Sequence, residues 1–385
     1  MGEDVAMESA KPVKVMQIIA RMNVGGPAVL VADLVRNLDT QQFSTVLVTG
    51  YCDENESDYL DEVAQDVFAI RIPGLGRSVS PLKDLTAFFL LAKEIRKFKP
   101  DVIHTHTAKA GVLGRLAGLI ARPQATRIHT FHGHLLHGYF GSSKTRLVIL
   151  LERFFGLITF RFIAIGNVVK NDLVQAGIAQ VFKFEVIYPG LQELDRYPKS
   201  DARSTLGLDP SKKYLVFVGR LTSIKRPERL IDIARFLKDK HPASWLLIAG
   251  AGELLDELSA EAQRDVLPIT FLGWRKDIGA ILSASDIAIL CSDNEGIPLT
   301  LIQASQAGLP IVSTDVGSVN DIVVNGTTGL LTEVSSKGLI KGVSTLLDDP
   351  ALCERFGKAG QERAQEFFSS RAMIEHHQRL YSQLL

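Results

Sequence analysis

Cysteine is scarce in this 385-residue chain: Cys52, Cys291 and Cys353 are odd in number and far apart. That excludes a disulfide framework, and with no C-x-x-C spacing there is no structural-zinc signature, so a reducing cytosol is the expected compartment. Net charge is also missing, since 43 basic side chains meet 43 acidic ones. No global field therefore argues for nucleic acid as a partner, and any charge-dependent binding has to be local. A long uninterrupted apolar run is absent as well. The most apolar stretch, 147–165, is broken by Glu152, Arg153 and Arg161, which is too charged for a membrane span. The N-terminus, Met1-Gly2-Glu3-Asp4, carries no basic segment followed by an apolar one, so export by a signal peptide is not expected. Gly2 lacks the Ser or Thr at position 6 that the myristoylation pattern wants, because Ala6 stands there.

What is present is the balance of an ordinary globular chain, 46% hydrophobic and 22% charged, with a length that at roughly 150 residues per domain points to two domains. From Val13 onward, short Val- and Ile-rich runs alternate with longer stretches of helical period, the pattern of βα units around a parallel sheet buried on both faces. Strands are expected near 13–20, 45–49, 67–72, 101–105, 127–131, 161–165 and 184–187. Residues 188–212 then lose periodicity and gather Pro, Gly and charge, the composition of a segment between domains. A second series follows at 213–218, 244–249, 269–272, 286–290, 310–314 and 329–332. Two similar open α/β domains facing each other predict a ligand cleft between them, because such sheets bind at the carboxyl ends of their strands. Ala351 to Leu385 reads as helical, with Phe356, Phe367, Phe368, Ile374, Leu380 and Leu384 as apolar anchors able to pack back onto the first domain.

Four segments carry candidate chemistry. The first strand runs into Gly25-Gly26-Pro27 and a helix. Glycines let a backbone approach a ligand and a helix N-terminus favours an anion, but this is not the G-x-G-x-x-G fingerprint, and a plain strand-to-helix turn fits equally. In the second half, Gly219-Arg220 ends a strand and Lys225 follows five residues after Arg220. Arg forks onto phosphate oxygens and Lys adds a point charge, so the pair suits a diphosphate, while solvated surface charge is the plain alternative. Ser292–Thr300 (SDNEGIPLT) follows a buried-looking strand. Glu295 there is either a carboxylate for sugar hydroxyls or, like Asn294, a helix cap. Six of the nine histidines lie within 104–137: His104, His106, His129, His132, His134 and His137. With no H-E-x-x-H spacing and no carboxylate in the second cluster, a metal site is not expected. Strand alternation makes some of these rings core, and His132, just past a strand end, is the one best placed to reach a cleft ligand.

These residues resemble the GT-B-fold glycosyltransferases of family 4, which are retaining enzymes using nucleotide sugars, over nearly the whole chain. GRLTSIKRPERLIDIA, GAGE, FLGWRKDIGAILSASDIAIL and EGIPLTLIQASQAGLPIVSTDVGSVNDIV follow the family's order and spacing, and HTHTAKAGVLGRLAG with HTFHGH is similar to enzymes of bacterial surface-polysaccharide assembly. The resemblance implies two Rossmann-like domains: an acceptor-binding one at 1–195, a nucleotide-sugar-binding one at 196–365, and a helix at 366–385 crossing back to the first. It implies that Arg220 and Lys225 hold the diphosphate and Glu295 the donor sugar. Gly296, Ile297, Leu299 and Thr300 would present backbone N–H groups around Pro298, which has none, with His132 near the transferring sugar and Gly25 and Gly26 in the donor site. The expected donor is a UDP-sugar, with no other cofactor and no metal required. The expected acceptor is a glycan, lipid-linked through polyprenyl diphosphate, met at the inner face of the plasma membrane. Three positions depart from the family: Gln303 stands where its second Glu is expected, at the ribose contact, Ser318 where its second Gly is expected, and Asp321 where a later Glu is expected. The apolar and basic segment Lys144–Phe155 either lies at a membrane surface or is a buried domain helix, the simpler expectation for Leu147, Leu150, Leu151 and Phe154. A GT-B-fold sugar-nucleotide epimerase and a catalytically silent sugar-nucleotide-binding protein are the alternative functions.

Overall fold

The computed structural model describes residues 11–133 and 142–384, with the side chains of 142–144 outside the description. His134, His137 and the side chain of Lys144 therefore lie outside the described residues. Among those described, the chain builds two wholly parallel sheets. The first comprises β1 (Val13–Ile19), β2 (Phe43–Thr49), β3 (Ala69–Arg71), β4 (Val102–His106), β5 (Thr126–Phe131), β6 (Arg161–Ala164) and β7 (Phe184–Val186), in the order β3-β2-β1-β4-β5-β6-β7. The second comprises β8 (Lys213–Val218), β9 (Ser244–Ala249), β10 (Ile269–Gly273), β11 (Ile287–Leu290), β12 (Ile311–Thr314) and β13 (Gly329–Thr332), in the order β10-β9-β8-β11-β12-β13. Each strand overlaps its expected run with ends shifted by no more than two residues, because Val- and Ile-rich runs buried on both faces leave little choice of conformation. Strand order reverses between β1 and β4 and again between β8 and β11. A crevice opens outside the carboxyl ends of the strands at such switch points.

The segment expected to be irregular contains a seven-residue helix, Lys199–Thr205. It is too short to show a 3.6-residue period and is fixed by tertiary bonds instead: buried Arg203 donates to the Ala284 carbonyl at 3.0 Å and to Asp286 at 2.8 Å.

The chain passes from the first sheet to the second near Leu191 and returns beside itself. Leu191 N–H donates to the Phe368 carbonyl at 2.9 Å and Ser370 N–H to the Leu191 carbonyl at 2.8 Å. A Cβ on Gly190 would lie 2.3 Å from the Ser369 carbonyl oxygen, so only glycine lets the two passes run this close. The break after helix Pro350–Phe367 starts the return helix Ser370–Gln383, which packs on helix Gly26–Asn37 of the first domain. Asp33, the polar interruption in the apolar face of that first helix, is the docking point: Ser370 Oγ donates to its Oδ2 and Gln192 Nε2 to its Oδ1.

Helix Ser142–Ile158 is oriented the other way from expectation. Leu147, Leu150, Leu151 and Phe154 face solvent, 45–61% exposed, together with Leu157. Glu152 and Phe155 are buried in their place. The reason is Arg115, fully buried on helix Ala108–Ala121: one of its nitrogens donates to both Glu152 carboxylate oxygens at 2.9 Å and its guanidinium lies 4.5 Å from the Phe155 ring. A buried guanidinium without its carboxylate is far costlier than an exposed leucine, so the ion pair sets the rotation of the helix. Glu152→Ala should destabilise the chain by about 3–5 kcal/mol in urea unfolding, whereas Leu150→Ser should change stability by less than about 0.5 kcal/mol.

Candidate active site

A cleft of about 480 Å³ opens between the sheets and brings together His132, Arg220, Lys225, Glu295 and Gly296 of the expected site residues. Each side of it begins at a strand's carboxyl end: His132 follows β5, Arg220 follows β8, and the Asp293–Gly296 loop follows β11. Lys225 sits in a short 3₁₀ turn and its Nζ donates to Glu295 Oε1 at 2.6 Å; Ser292 Oγ donates to the same oxygen at 2.5 Å. Glu295 therefore does not cap the following helix, Leu299–Gln306, whose N-cap residue is Pro298 and which has no side-chain cap. Next to this pair, Arg220 is exposed on the cleft wall, and its guanidinium has no hydrogen bond or ion pair to any described residue. Asp293, also lining the cleft, is paired with Arg229 at 2.7 Å and Arg226 at 3.5 Å. Among the described residues, the wall thus holds its carboxylates against cations and leaves the Arg220 guanidinium uncommitted, an arrangement suited to an anion.

Gly25, Gly26, Ile297, Pro298, Leu299, Thr300 and Gln303 do not line this cleft. Ile297 and Pro298 are buried, and Gln303 is half-buried with no side-chain hydrogen bond to a described residue. Gly26 instead lies under Leu299 of the second domain, where an added Cβ would be 3.4 Å from Leu299 Cδ1. Gly296 meets the first domain in the same way, an added Cβ falling 3.3 Å from Gly133 Cα.

Sequence reasoning missed the residues that join the domains here. Asp321, noted only as a departure, accepts hydrogen bonds from Asn167 N–H at 2.7 Å, from Asn167 Nδ2 at 2.6 Å and from the Tyr188 hydroxyl at 3.1 Å. It caps helix Asn167–Gln175 from the opposite domain. Burial, and then the Asp321 charge, push the Tyr188 hydroxyl up to about 12. Ser318 and Asp321 crowd Gly166 so closely that an added Cβ would fall 2.5 Å from Ser318 Oγ.

The histidines form a buried layer. His106 stands with its Nδ1 2.9 Å from His132 Nε2 and its Nε2 2.8 Å from Gln17 Oε1. His104 places Nδ1 2.6 Å from the Tyr381 hydroxyl and Nε2 2.7 Å from Thr130 Oγ1. Gln17 and Tyr381 were missed because a lone polar residue in an apolar strand and a tyrosine on a distant helix give no local signal. Among the described residues, no group of three or more His, Cys, Asp or Glu side chains is arranged to hold a metal ion. Burial holds His104, His106 and His129 well below the usual imidazole range, lowers His132 to about 3, and lowers His377, on the return helix, to about 4.

The chain matches two families that divide it between them: Glycosyltransferase Family 4 over residues 24–193 and Glycosyl transferases group 1 over residues 198–363. It is 32% identical to the UDP-Gal:alpha-D-GlcNAc-diphosphoundecaprenol alpha-1,3-galactosyltransferase of Escherichia coli, across 82% of this chain and 83% of that one. The chain belongs to the family 4 glycosyltransferases. This glycosyltransferase is also 25% identical to the capsular polysaccharide biosynthesis glycosyltransferase CapM of Staphylococcus aureus, over 80% of its own length and 83% of CapM. Its fold superposes on Anabaena HepE in complex with UDP with a TM-score of 0.82 at 20% identity, covering 96% of this chain and 100% of that one. The relatives are transferases, and the epimerase alternative finds no support among them.

The depressed histidines make the glycosyltransferase's stability pH-dependent. Because the folded imidazoles stay neutral below their ordinary value of 6.5, the unfolded chain binds more protons there, and stability falls as pH is lowered from about 6.5 toward 4. Urea unfolding between pH 7 and pH 5 should show this decline, and His377→Gln should make it shallower by up to about 1.4 kcal/mol per pH unit.

Proposed function

We propose that the chain is a retaining glycosyltransferase that moves a sugar from a UDP-sugar to a hydroxyl of a glycan acceptor carried on polyprenyl diphosphate, at the inner face of the plasma membrane. The observation that carries this reading is the uncommitted Arg220 beside the Lys225–Glu295 pair in a cleft between two parallel sheets. Arg220 binds the donor diphosphate, and Lys225 turns from Glu295 to the same phosphates when they arrive. Glu295, released from Lys225 but still held by Ser292, accepts hydrogen bonds from the donor sugar. The backbone N–H groups of Gly296, Ile297, Leu299 and Thr300, with Pro298 between them, and the Gly25-Gly26 loop close on the donor, and Gln303 meets the ribose. His132 faces the transferring sugar from the acceptor side. Residues 1–195 then carry the acceptor, residues 196–365 the donor, and residues 366–385 the return helix.

Chemically, the protein stabilises the departing diphosphate, whose negative charge grows as the glycosidic bond breaks. Cations fixed in a partly dehydrated cleft need no reorganisation at that moment. The leaving phosphate takes the proton of the acceptor hydroxyl on the face from which it departs, so configuration is retained. Neutralising the diphosphate is assigned to Arg220 and Lys225, and no side chain is assigned as a nucleophile. A relative whose name specifies UDP-Gal and a diphosphoundecaprenol acceptor, and a neighbouring fold in complex with UDP, support this choice of substrates.

The exposed face of helix Ser142–Ile158 supplies the membrane contact. Leu147, Leu150, Phe154 and Leu157 form one stripe at helical spacing, with Arg146 and Arg153 on the same helix. No helix among the described residues is long and apolar enough to cross a membrane. The double substitution Leu150→Asp and Leu157→Asp should abolish flotation with anionic vesicles that the unmodified chain shows.

The direct test is incubation with UDP-, GDP- and ADP-sugars and a lipid-linked acceptor, following acceptor-dependent transfer and the anomeric configuration of the product. Arg220→Ala and Glu295→Ala should each lower kcat/KM by about 10²–10³. Transfer left unchanged by both substitutions would refute the site. Binding of a nucleotide sugar without transfer to any acceptor would favour the silent-binder reading that Gln303 motivates.

A further inference from the structure

The hydrogen-bond chain behind His132 has a direction. Gln17 on β1 presents its amide Nε2 to the Tyr381 hydroxyl at 2.9 Å and its carbonyl Oε1 to His106 Nε2 at 2.8 Å. A carbonyl oxygen only accepts, so His106 bears its proton on Nε2. The His106 ring is fully enclosed and neutral, and its Nδ1 is consequently a bare lone pair, 2.9 Å from His132 Nε2. His132 has to donate from Nε2, which leaves its Nδ1 without a proton. That atom is buried and has no hydrogen-bond partner among the described residues, and His132 lines the cleft. The other end is compatible: Tyr381, having accepted from Gln17, can give its own proton to His104 Nδ1 at 2.6 Å, which puts the His104 proton on Nε2, 2.7 Å from Thr130 Oγ1. Strand register explains the alignment, since Gln17 pairs with His104 and Ile19 with His106 across the β1–β4 switch point, while His106 pairs with Thr130 on β5.

We propose that Gln17 and His106, held by Tyr381 of the return helix, are positioning residues that lock His132 in its Nε2–H tautomer, so that its bare Nδ1 accepts a hydrogen bond from a hydroxyl of the sugar in the cleft. The role in transfer rests on the glycosyltransferase reading; the tautomer does not. An unpaired buried acceptor is costly, and a sugar hydroxyl is a donor that relieves it, which makes the site selective for a sugar bearing that hydroxyl over its deoxy analogue. Gln17, His106 and Tyr381 belong to the first sheet and the helix docked on it, so the tautomer is set before the nucleotide sugar binds.

The test uses the full chain labelled with ¹⁵N-histidine, without ligand, and reads ring tautomers from two-bond ¹H–¹⁵N correlations, His132 being identified by its loss in His132→Gln. The expected result is a His132 ring protonated at Nε2 and not at Nδ1; a proton on Nδ1 would overturn the proposal, because the chain would then run in the opposite sense. Gln17→Met and Tyr381→Phe keep shape while cutting the anchor, and thermal unfolding shows that each still folds. Both should produce a mixture of His132 tautomers and lower kcat about tenfold, the worth of one neutral hydrogen bond, with the donor KM changed less than about threefold. Mixed tautomers with unchanged kcat would overturn the positioning role. A chain with the Nε2–H tautomer that transfers no sugar would overturn the proposed function, and the role in transfer with it, but not the lock.

Discussion

The double passage of the chain between the two sheets is the constraint on which the rest of this molecule depends. Leu191 and the Phe368–Ser370 segment exchange backbone hydrogen bonds where the outgoing and returning strands of chain lie side by side. That close approach exists because Gly190 has no side chain to obstruct it. It starts the return helix in place to meet Asp33 through Ser370, and a buried carboxylate so placed commits the helix to the first domain at a defined position. Tyr381, near the far end of that helix, then reaches the first sheet at Gln17. One crossing thus sets the start of the return helix, its docking on the first domain and the anchor of the histidine layer.

Across the cleft the domains touch through features with little bulk and well-defined polarity. Gly26 and Gly296 allow close approach, and Asp321 meets the free N–H of a helix start on the other side. Such contacts are small and partly polar, and interfaces of this kind within a chain permit relative motion of the domains. The zero net charge acquires a structural meaning here. Charges on the cleft wall are matched locally, Lys225 with Glu295 and Arg229 with Asp293, and among the described residues the Arg220 guanidinium on the same wall has no such partner. A uniformly basic cleft would attract polyanions of many kinds; a mostly neutralised one with one uncommitted cation asks for a ligand of matching size and shape.

Much of this was legible in the sequence. The thirteen strands, the segment between the series and the terminal helix followed from periodicity and composition, since a parallel strand buried on both faces has to be apolar throughout. Arg220, Lys225, Glu295 and His132 were expected to meet in a cleft because each follows the carboxyl end of a strand, and all four line one cleft. The misreadings share one cause. Helix Ser142–Ile158 was expected to bury its leucines, and Glu295 was open to a capping role, because both expectations weigh only neighbours along the chain. Arg115 and Lys225, the groups that decided otherwise, are distant in sequence from the carboxylates they pair with.

The sequence by itself determined the architecture and the identity of the cleft's charged residues, because hydrophobic period and position relative to a strand end are local properties. Tertiary structure alone decided which face of a helix turns outward, which cation each carboxylate holds, and which residue of the opposite domain Asp321 grips. It also decided which partners the histidine layer meets, among them Gln17 and Tyr381, more than 360 residues apart. The physical reason is that burial makes an unpaired charge or polar group expensive, so partners are chosen by three-dimensional proximity, which no stretch of sequence encodes on its own.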